Sequence, residues 1–308
     1  MRFLDKIKSF FRRREKKKRK IGLALGGGGA RGLAHLGVLE VLNEYNFSPD
    51  LITGTSMGAI VGASYAQNQN VEKIIEKVED YLEKNRTDQD YIMRKLGKSE
   101  TGRFSKWSNS LTKYYKLMRS SDGVYVLEQR ILKNLINELI DKGDIGETDK
   151  TFAAVAVDLI SGDNFLMDKG PIREAVLASA SLPAIFPPVR KEDRVLVDGG
   201  VSCVVPVEQA LQLGADIVIA VDVSKDLKRE DAPSRGIDIL FRTSSIARNQ
   251  LKNKHLEKAF LKIKPDIDEF QWFEFDRYQE IKEKGYVSAS EVMASSPLLD
   301  EESFKVPV

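Results

Sequence analysis

Cysteine and histidine are the scarce residues in this 308-residue chain. One cysteine, Cys203, excludes an intramolecular disulfide framework and fits a reducing compartment. Two histidines, His35 and His255, leave little room for a histidine-rich metal site and limit the imidazole bases open to any catalysis. No apolar run approaches the roughly 18 residues of a transmembrane helix. The N-terminal segment also lacks the apolar core and small-residue cleavage site of a secretory signal peptide. Net charge is small as well, 48 basic residues against 46 acidic ones. What is present in quantity is 42% apolar and 31% charged residues, enough for a sizeable core beneath a well-solvated surface. The length suits one α/β domain, and no internal repeat is apparent.

The near-neutral total hides a segregation. Residues 1–20 hold eleven basic residues against Asp5 and Glu15, a net +9. Phe3, Leu4, Ile7, Phe10 and Phe11 fall at helical spacing among them, the pattern of a basic amphipathic helix at an anionic membrane surface. A solvated basic leader or a nucleic-acid arm would share the charge. Residues 91–119 carry eight basic residues against Glu100, a net +7, interleaved with Tyr91, Phe104, Trp107, Tyr114 and Tyr115. Such rings suit headgroup depth, so this stretch is expected to be a cap or interfacial loop, with a solvated basic face as the plainer reading. As the chain totals +2, everything outside the two stretches carries −14. The domain proper is expected over 21–300.

Ile21–Leu25 reads as a strand entering a glycine run, followed by a helix from about Gly32 to Tyr45. Leu51–Thr53 reads as a second strand, a second glycine turn follows, and Met57–Ala66 as a helix of small residues. Strand–turn–helix twice over is the pattern of a parallel α/β sheet. Further strands are expected at Phe152–Leu159, Arg194–Val197 and Ile217–Val223. Further helices are expected at 71–83, Val124–Ile140, Ile172–Ser181, Ile237–Phe260 and Phe275–Met293.

Two glycine turns and one aspartate turn can carry chemistry. Gly27-x-Gly29-x-x-Gly32 lies between strand and helix, as in a dinucleotide site. The second strand ends without the acid that would hold a ribose, and Gly32 is followed by Leu33, not the lysine of a phosphate-binding loop. What remains is a row of N–H groups suited to an anion, a developing oxyanion included. Gly54-Thr55-Ser56-Met57-Gly58 is a G-x-S-x-G sequence between strand and helix, the setting of a nucleophile elbow presenting Ser56.

Neither histidine is a convincing base for that serine. His255 lies in a charged helical stretch that reads as solvated, and His35 reads as a packed helix residue. Asp198, in Val197-Asp198-Gly199-Gly200, ends a strand at a sharp turn, where α/β enzymes place catalytic groups. An aspartate at its reference pKa of ~3.9 is a poor base, so either burial raises its pKa or the oxyanion hole supplies most of the acceleration. A dyad of this kind predicts slow turnover of soluble esters and no free-histidine limb near pH 6.5. Asp158 and Asp222 also end strands but read as strand-end or cap residues, Cys203 as a packed small hydrophobe, and Trp272, Phe273 and Phe275 as core.

Together and in order, Gly27-Gly28-Gly29-Ala30-Arg31-Gly32, Gly54-Thr55-Ser56-Met57-Gly58 and Asp198-Gly199-Gly200 resemble the patatin-like phospholipase family. The bacterial branch, similar to the catalytic domain of neuropathy target esterases, is the nearest likeness. Ile21–Leu25 and Ser181–Pro188 add to it, and the resemblance covers about residues 20–295. It implies a three-layer α/β fold, a mostly parallel central sheet flanked by helices. It also implies a Ser–Asp dyad hydrolysing fatty acyl esters of phospholipids or lysophospholipids, without calcium, other metal or cofactor. Ser56 would be nucleophile, Asp198 base, and Gly27, Gly28 and Gly29 the oxyanion hole. Arg31 matches the family's basic position, its plainer reading an ion pair at the helix start.

The expectation is a membrane-surface acyl hydrolase, cytoplasmic and peripherally held at the inner face of the cell membrane, binding no nucleic acid. Its rivals are a carboxylesterase or thioesterase acting on soluble acyl donors, and a non-catalytic lipid-binding protein.

Overall fold

A computed structural model describes residues 19–93, 95, 125–229, 232–233 and 236–296. Almost all of the basic leader and of the basic aromatic stretch lies outside the described residues. No helix among the described residues is long and apolar enough to cross a membrane.

The sheet is built on β1 (Ile21–Leu25), buried along its whole length. β1 pairs in parallel with β2 (Leu51–Thr55) on one side and β7 (Ile217–Val221) on the other. β3 (Thr151–Asp158) continues the parallel order beyond β2, and β8 (Leu261–Ile263) beyond β7. β4 (Asn164–Met167) and β6 (Arg194–Asp198) lie antiparallel to β3, and β5 (Val189–Lys191) antiparallel to β6. Strands covered on both faces need apolar side chains on both, and β1 and β7 supply them unequally. Leu23, Leu25, Ile219 and Val221 enter the larger core, whereas Ala24, Val218 and Ala220 enter a thinner one.

Helices α1 (Ala34–Glu44), α2 (Met57–Gln67), α3 (Val71–Lys84), α5 (Gln129–Leu139), α6 (Ile172–Ala180) and α9 (Tyr278–Ala294) pack into the larger core. α7 (Val207–Gln212) covers the thinner one, beside Leu256 near the end of α8 (Gly236–Glu257). The α/β layering and mostly parallel sheet match the sequence expectation.

The differences lie at element ends and margins. The helix expected from Gly32 opens as a 3-10 turn, Gly29–Leu33, and becomes α-helical only at Ala34. α5 begins at Gln129, and β2 runs two residues further than expected, to Thr55. β4, β5, β8, α7 and the short α4 (Arg86–Ile92) carried too few apolar residues at one period to stand out.

Candidate active site

Parallel strands present their carboxyl ends along one edge, and the loops that leave them there are where α/β proteins bind ligands. Gly26–Gly29 leaves β1, Ser56 leaves β2, and Asp222–Lys225 leaves β7 at this edge. β6 joins them through an exchange of partners. β2 occupies one edge of β3 as far as Thr55 opposite Val155, and β6 takes over with Asp198 opposite Ala156.

Ser56 bridges β2 and α2 with φ 56° and ψ −123°, a conformation that costs a non-glycine residue about 1–3 kcal/mol. The surroundings hold it there. Its N–H donates to Ser179 Oγ at 3.0 Å, and Ser179 Oγ donates in turn to the Val155 carbonyl at 2.6 Å. Gly58 lets α2 start directly against β1, since a Cβ there would stand 2.2 Å from the Leu25 carbonyl oxygen. Gly54 meets the same helix, and Met57 lies buried against Gly32.

Ser56 Oγ donates to Asp198 Oδ2 at 2.5 Å. Asp198 is 3% exposed, and its second oxygen, Oδ1, accepts from the Gly200 N–H at 2.7 Å across the Gly199–Val201 turn. Burial pushes the carboxyl up to about 6, against the pull of the hydrogen bonds from Ser56 and Gly200 and of the Arg248 charge. A buried carboxyl raised in this way meets the condition that the sequence reading set for an aspartate to serve as base.

The glycine run lies across from this pair. Of the three glycines expected to form an oxyanion hole, Gly27 has its N–H engaged, donating to the Val204 carbonyl at 2.9 Å. The N–H groups of Gly28 and Gly29 meet no protein acceptor among the described residues. Gly29 adopts φ 59° against the Trp272 backbone, which also receives the Ala30 N–H at 2.7 Å. Arg31 Nε caps the same loop by donating to the Gly28 carbonyl at 3.2 Å. The plainer reading of Arg31 is a phosphate-like or carboxylate ion pair, and no carboxylate lies within 4.0 Å of it among the described residues.

Both histidines lie away from the serine. His35 is fully buried in α1, its Nε2 2.8 Å from the Gly26 carbonyl oxygen, and burial lowers its pKa to about 4. His255 stands 4.0 Å from Glu208 near the end of α8, is not among the residues lining the cavity described next, and is less solvated than expected.

Ser56, Asp198 and the glycines open onto a cavity of about 970 Å³. Ile60, Leu132, Leu135, Ile185 and Phe273 give it an apolar wall. Trp272, Phe273 and Phe275 pack in or against the core as expected, and they also line this cavity, because the loop before α9 folds back over the glycine run. Asp222 caps the turn after β7 as expected, accepting from the Ser224 N–H at 2.9 Å, and has a second role. It is the centre of a buried ion cluster with Lys252 at 3.1 Å and Lys264 at 3.0 Å, which bring its carboxyl below its ordinary value against the effect of burial. Asp158 does cap a turn, accepting from the Ile160 and Val195 N–H groups. Cys203 is packed, its thiol pushed up to about 12 by burial. Ser179, Lys225, Arg248 and Lys252 escaped the sequence reading because none lies in a motif, and only the fold brings Ser179 behind Ser56 and the three cations to the cavity.

A G-x-S-x-G turn at the carboxyl edge of a helix-covered parallel sheet, with a glycine run beside it, defines an α/β protein of the nucleophile-elbow type. Residues 23–211 match the family model described as patatin-like phospholipase, and the chain belongs to that family. An uncharacterized NTE family protein of Mycobacterium tuberculosis (strain ATCC 25618 / H37Rv) is 31% identical over 222 residues, 72% of this chain and 33% of the relative. The neuropathy target esterase sws of Drosophila melanogaster is 25% identical over 298 residues, 87% of this chain and 19% of that protein. The chain thus spans about a third or less of the length of these relatives. Among solved structures, VipD from Legionella pneumophila is similar with a TM-score of 0.45 and 15% identity, covering 91% of this chain and 67% of that one.

Proposed function

We propose that this protein is a serine acyl hydrolase that cleaves fatty acyl esters of phospholipids or lysophospholipids at a membrane surface. The observation that carries the reading is the 2.5 Å contact of Ser56 Oγ with the buried Asp198 carboxylate at the wall of an apolar cavity. Family membership supports the same reading.

In the reaction, Ser56 Oγ attacks the acyl carbonyl carbon while its proton passes to Asp198 Oδ2. The carbonyl oxygen, now carrying the charge, is received by the free N–H groups of Gly28 and Gly29. Collapse breaks the ester bond, the Asp198 proton goes to the departing alkoxide, and an acyl-Ser56 remains. Water attacks that ester with Asp198 as base, releasing the fatty acid and restoring the serine. The acyl chain gains about 0.8 kcal/mol per methylene placed against the apolar wall.

Action at a surface is supported by the rim of the cavity. Leu159 and Val201 line it while 57% and 44% exposed, and Ile160 and Leu240, chain neighbours of the lining residues Leu159 and Phe241, are each 66% exposed. The basic segment 1–20 would add attraction to an anionic leaflet. A fluorophosphonate probe should label Ser56, and hydrolysis of phospholipid vesicles should vanish in Ser56→Ala and Asp198→Asn. A folded wild-type protein that neither reacts with the probe nor releases fatty acid would sink the proposal.

A further inference from the structure

Residues 203–206, between the Asp198 turn and α7, belong to no strand or helix, yet they bond to every part of the site. The Cys203 N–H donates to the Gly199 carbonyl at 2.8 Å and closes the turn that follows Asp198. The Cys203 carbonyl accepts from Thr55 Oγ1 at 2.9 Å, one residue before the serine. The next carbonyl, that of Val204, takes the Gly27 N–H at 2.9 Å. The Pro206 carbonyl accepts from Thr53 Oγ1, also at 2.9 Å.

We propose that residues 203–206 are a strap that keeps Ser56, Asp198 and the glycine run in one fixed relation, and that Thr55 is its positioning residue. The inference rests on the hydrolase reading above and adds to it a residue that acts on the reaction through others.

The composition of β2 points the same way. Leu51, Thr53 and Thr55 share one face of the strand, and Leu51 packs there into the thinner core. Both threonines are fully buried. Valine has the shape of threonine without a hydroxyl that must find a partner, so packing alone would favour valine at both positions. The hydroxyls answer carbonyls that lie outside any sheet ladder, and such a carbonyl is costly to bury unpaired.

Thr55 differs from Thr53 in what surrounds it. Its methyl carbon lies 3.3 Å from the point where a Cβ on Gly27 would stand, and 3.2 Å from the same point at Gly199. The side chain is thus wedged between the glycine run and the aspartate turn. Among the described residues the Cys203 carbonyl has no donor besides Thr55, whereas the Pro206 carbonyl also takes the Ala210 N–H at 3.2 Å. Thr53 also stands two residues back along β2, about 6–7 Å further from the serine. Loss of the Thr55 hydroxyl frees Cys203, and with it the turn after Asp198 and the neighbouring Val204. Base and oxyanion loop then lose their alignment to Ser56 together.

The test uses the full chain with p-nitrophenyl butyrate as substrate. Thr55→Val and Thr53→Val each remove one buried hydrogen bond and should both melt at lower temperature, so stability is their shared effect. Thr55→Val should lower kcat about 10-fold or more with KM within twofold of wild type, and slow fluorophosphonate labelling of Ser56 in parallel. Thr53→Val should stay within threefold of wild type on all three measures. Thr55→Ser and Thr55→Ala share the loss of the methyl and differ in the hydroxyl, and Thr55→Ser should be at least fivefold faster in kcat. That pair decides the matter if Thr55→Val does not fold. Equal kcat losses in the two valine variants, or Thr55→Ser no faster than Thr55→Ala, would make Thr55 structural only and overturn the proposal.

Amide exchange separates this outcome from failure of the hydrolase reading, since it needs no turnover. The Gly27 and Cys203 N–H groups should exchange at least 10-fold faster in Thr55→Val than in wild type, and within threefold of wild type in Thr53→Val. Unchanged exchange in Thr55→Val refutes the strap whether or not the protein is an enzyme. The expected exchange pattern, in a wild-type protein that neither cleaves the ester nor reacts with the probe, would uphold the strap and discard the hydrolase reading.

Discussion

Thr55 and Asp198 occupy successive positions on one edge of β3, opposite Val155 and Ala156 respectively. The residue after Thr55 therefore meets the last residue of β6 end to end, and backbone register sets the separation of Ser56 from Asp198. Two short side chains span the gap with no slack. Asp198→Glu should consequently fail as a conservative change. The extra methylene has no room in a site that is 3% exposed, and a displacement near 1 Å is enough to cost about 100-fold. We expect kcat/KM on a soluble ester to fall by about that factor while the thermal transition remains cooperative. Activity within threefold of wild type would show that register does not control the pair.

The raised Asp198 carboxyl also has a stability consequence. Its pKa moves from 3.8 to about 6 on folding, so the folded state holds a proton that the unfolded state releases between these values. Stability is favoured below the unfolded value and is lost as pH rises through about 6, reaching a penalty of about 2–3 kcal/mol. Asp198→Asn removes the ionisation and keeps an acceptor for the Gly200 N–H. Urea unfolding at pH 8 should find this inactive variant more stable than wild type, with the gap closing towards pH 4. A variant less stable at pH 8 would contradict the burial account.

The parallel core and the two turns were legible in the sequence because each is a local pattern. Ile21–Leu25 followed by glycines, and Gly54–Gly58 before a small-residue helix, need no distant partner to be recognised. Asp198 was legible through its own Gly-Gly turn and through the shortage of histidines. What was not legible depends on contacts between residues far apart. Ser179 holds the Ser56 N–H from 123 positions away, and Val204 takes the Gly27 N–H from across the sheet. Trp272 and Phe273 look like core residues by composition, and only the path of their loop turns them towards the cavity. Lys252 sits in a stretch of charge, and its burial follows from Asp222 and Asp226 lying beneath α8.

The acid limb of the rate profile should belong to Asp198. With the carboxyl at about 6, log kcat/KM on a soluble ester should rise with slope one up to about pH 6 and then level off. His35 is held near 4 by burial and His255 does not line the cavity, so neither supplies the limb. The profile should persist in His255→Gln. In Arg248→Gln it should move to higher pH, because the Arg248 charge favours the ionised carboxylate. A limb that disappears in His255→Gln would reassign the base.

Ser179 acts on the reaction through the backbone. Its hydroxyl accepts from the Ser56 N–H and donates to Val155, bracing a serine held at positive φ. In Ser179→Ala the Ser56 N–H loses its partner at a part-buried position, at a cost of about 1–3 kcal/mol in stability. With the turn less constrained, kcat should drop about 10-fold with KM little changed, and the rate of fluorophosphonate labelling should fall in parallel. Restoration of both by Ser179→Thr, which keeps the hydroxyl, would tie the loss to this contact. A stability loss with no change in labelling would make Ser179 structural only.

The exposed rim makes a separable prediction about interfaces. Leu159 and Ile160 follow β3 where it runs past the level of Ser56, and they leave more than half of their surface in water beside the cavity. Burying such side chains in a lipid surface recovers about 1.5–3 kcal/mol each, whereas an acidic residue there would be repelled by an anionic leaflet. Ile160→Glu should thus reduce hydrolysis of anionic vesicles about 10-fold or more and leave a soluble short-chain ester within twofold of wild type. Vesicle sedimentation should show the same loss of binding, and it should deepen when residues 1–18 are also removed. Equal activity of wild type and Ile160→Glu on vesicles would place the membrane contact elsewhere on the molecule.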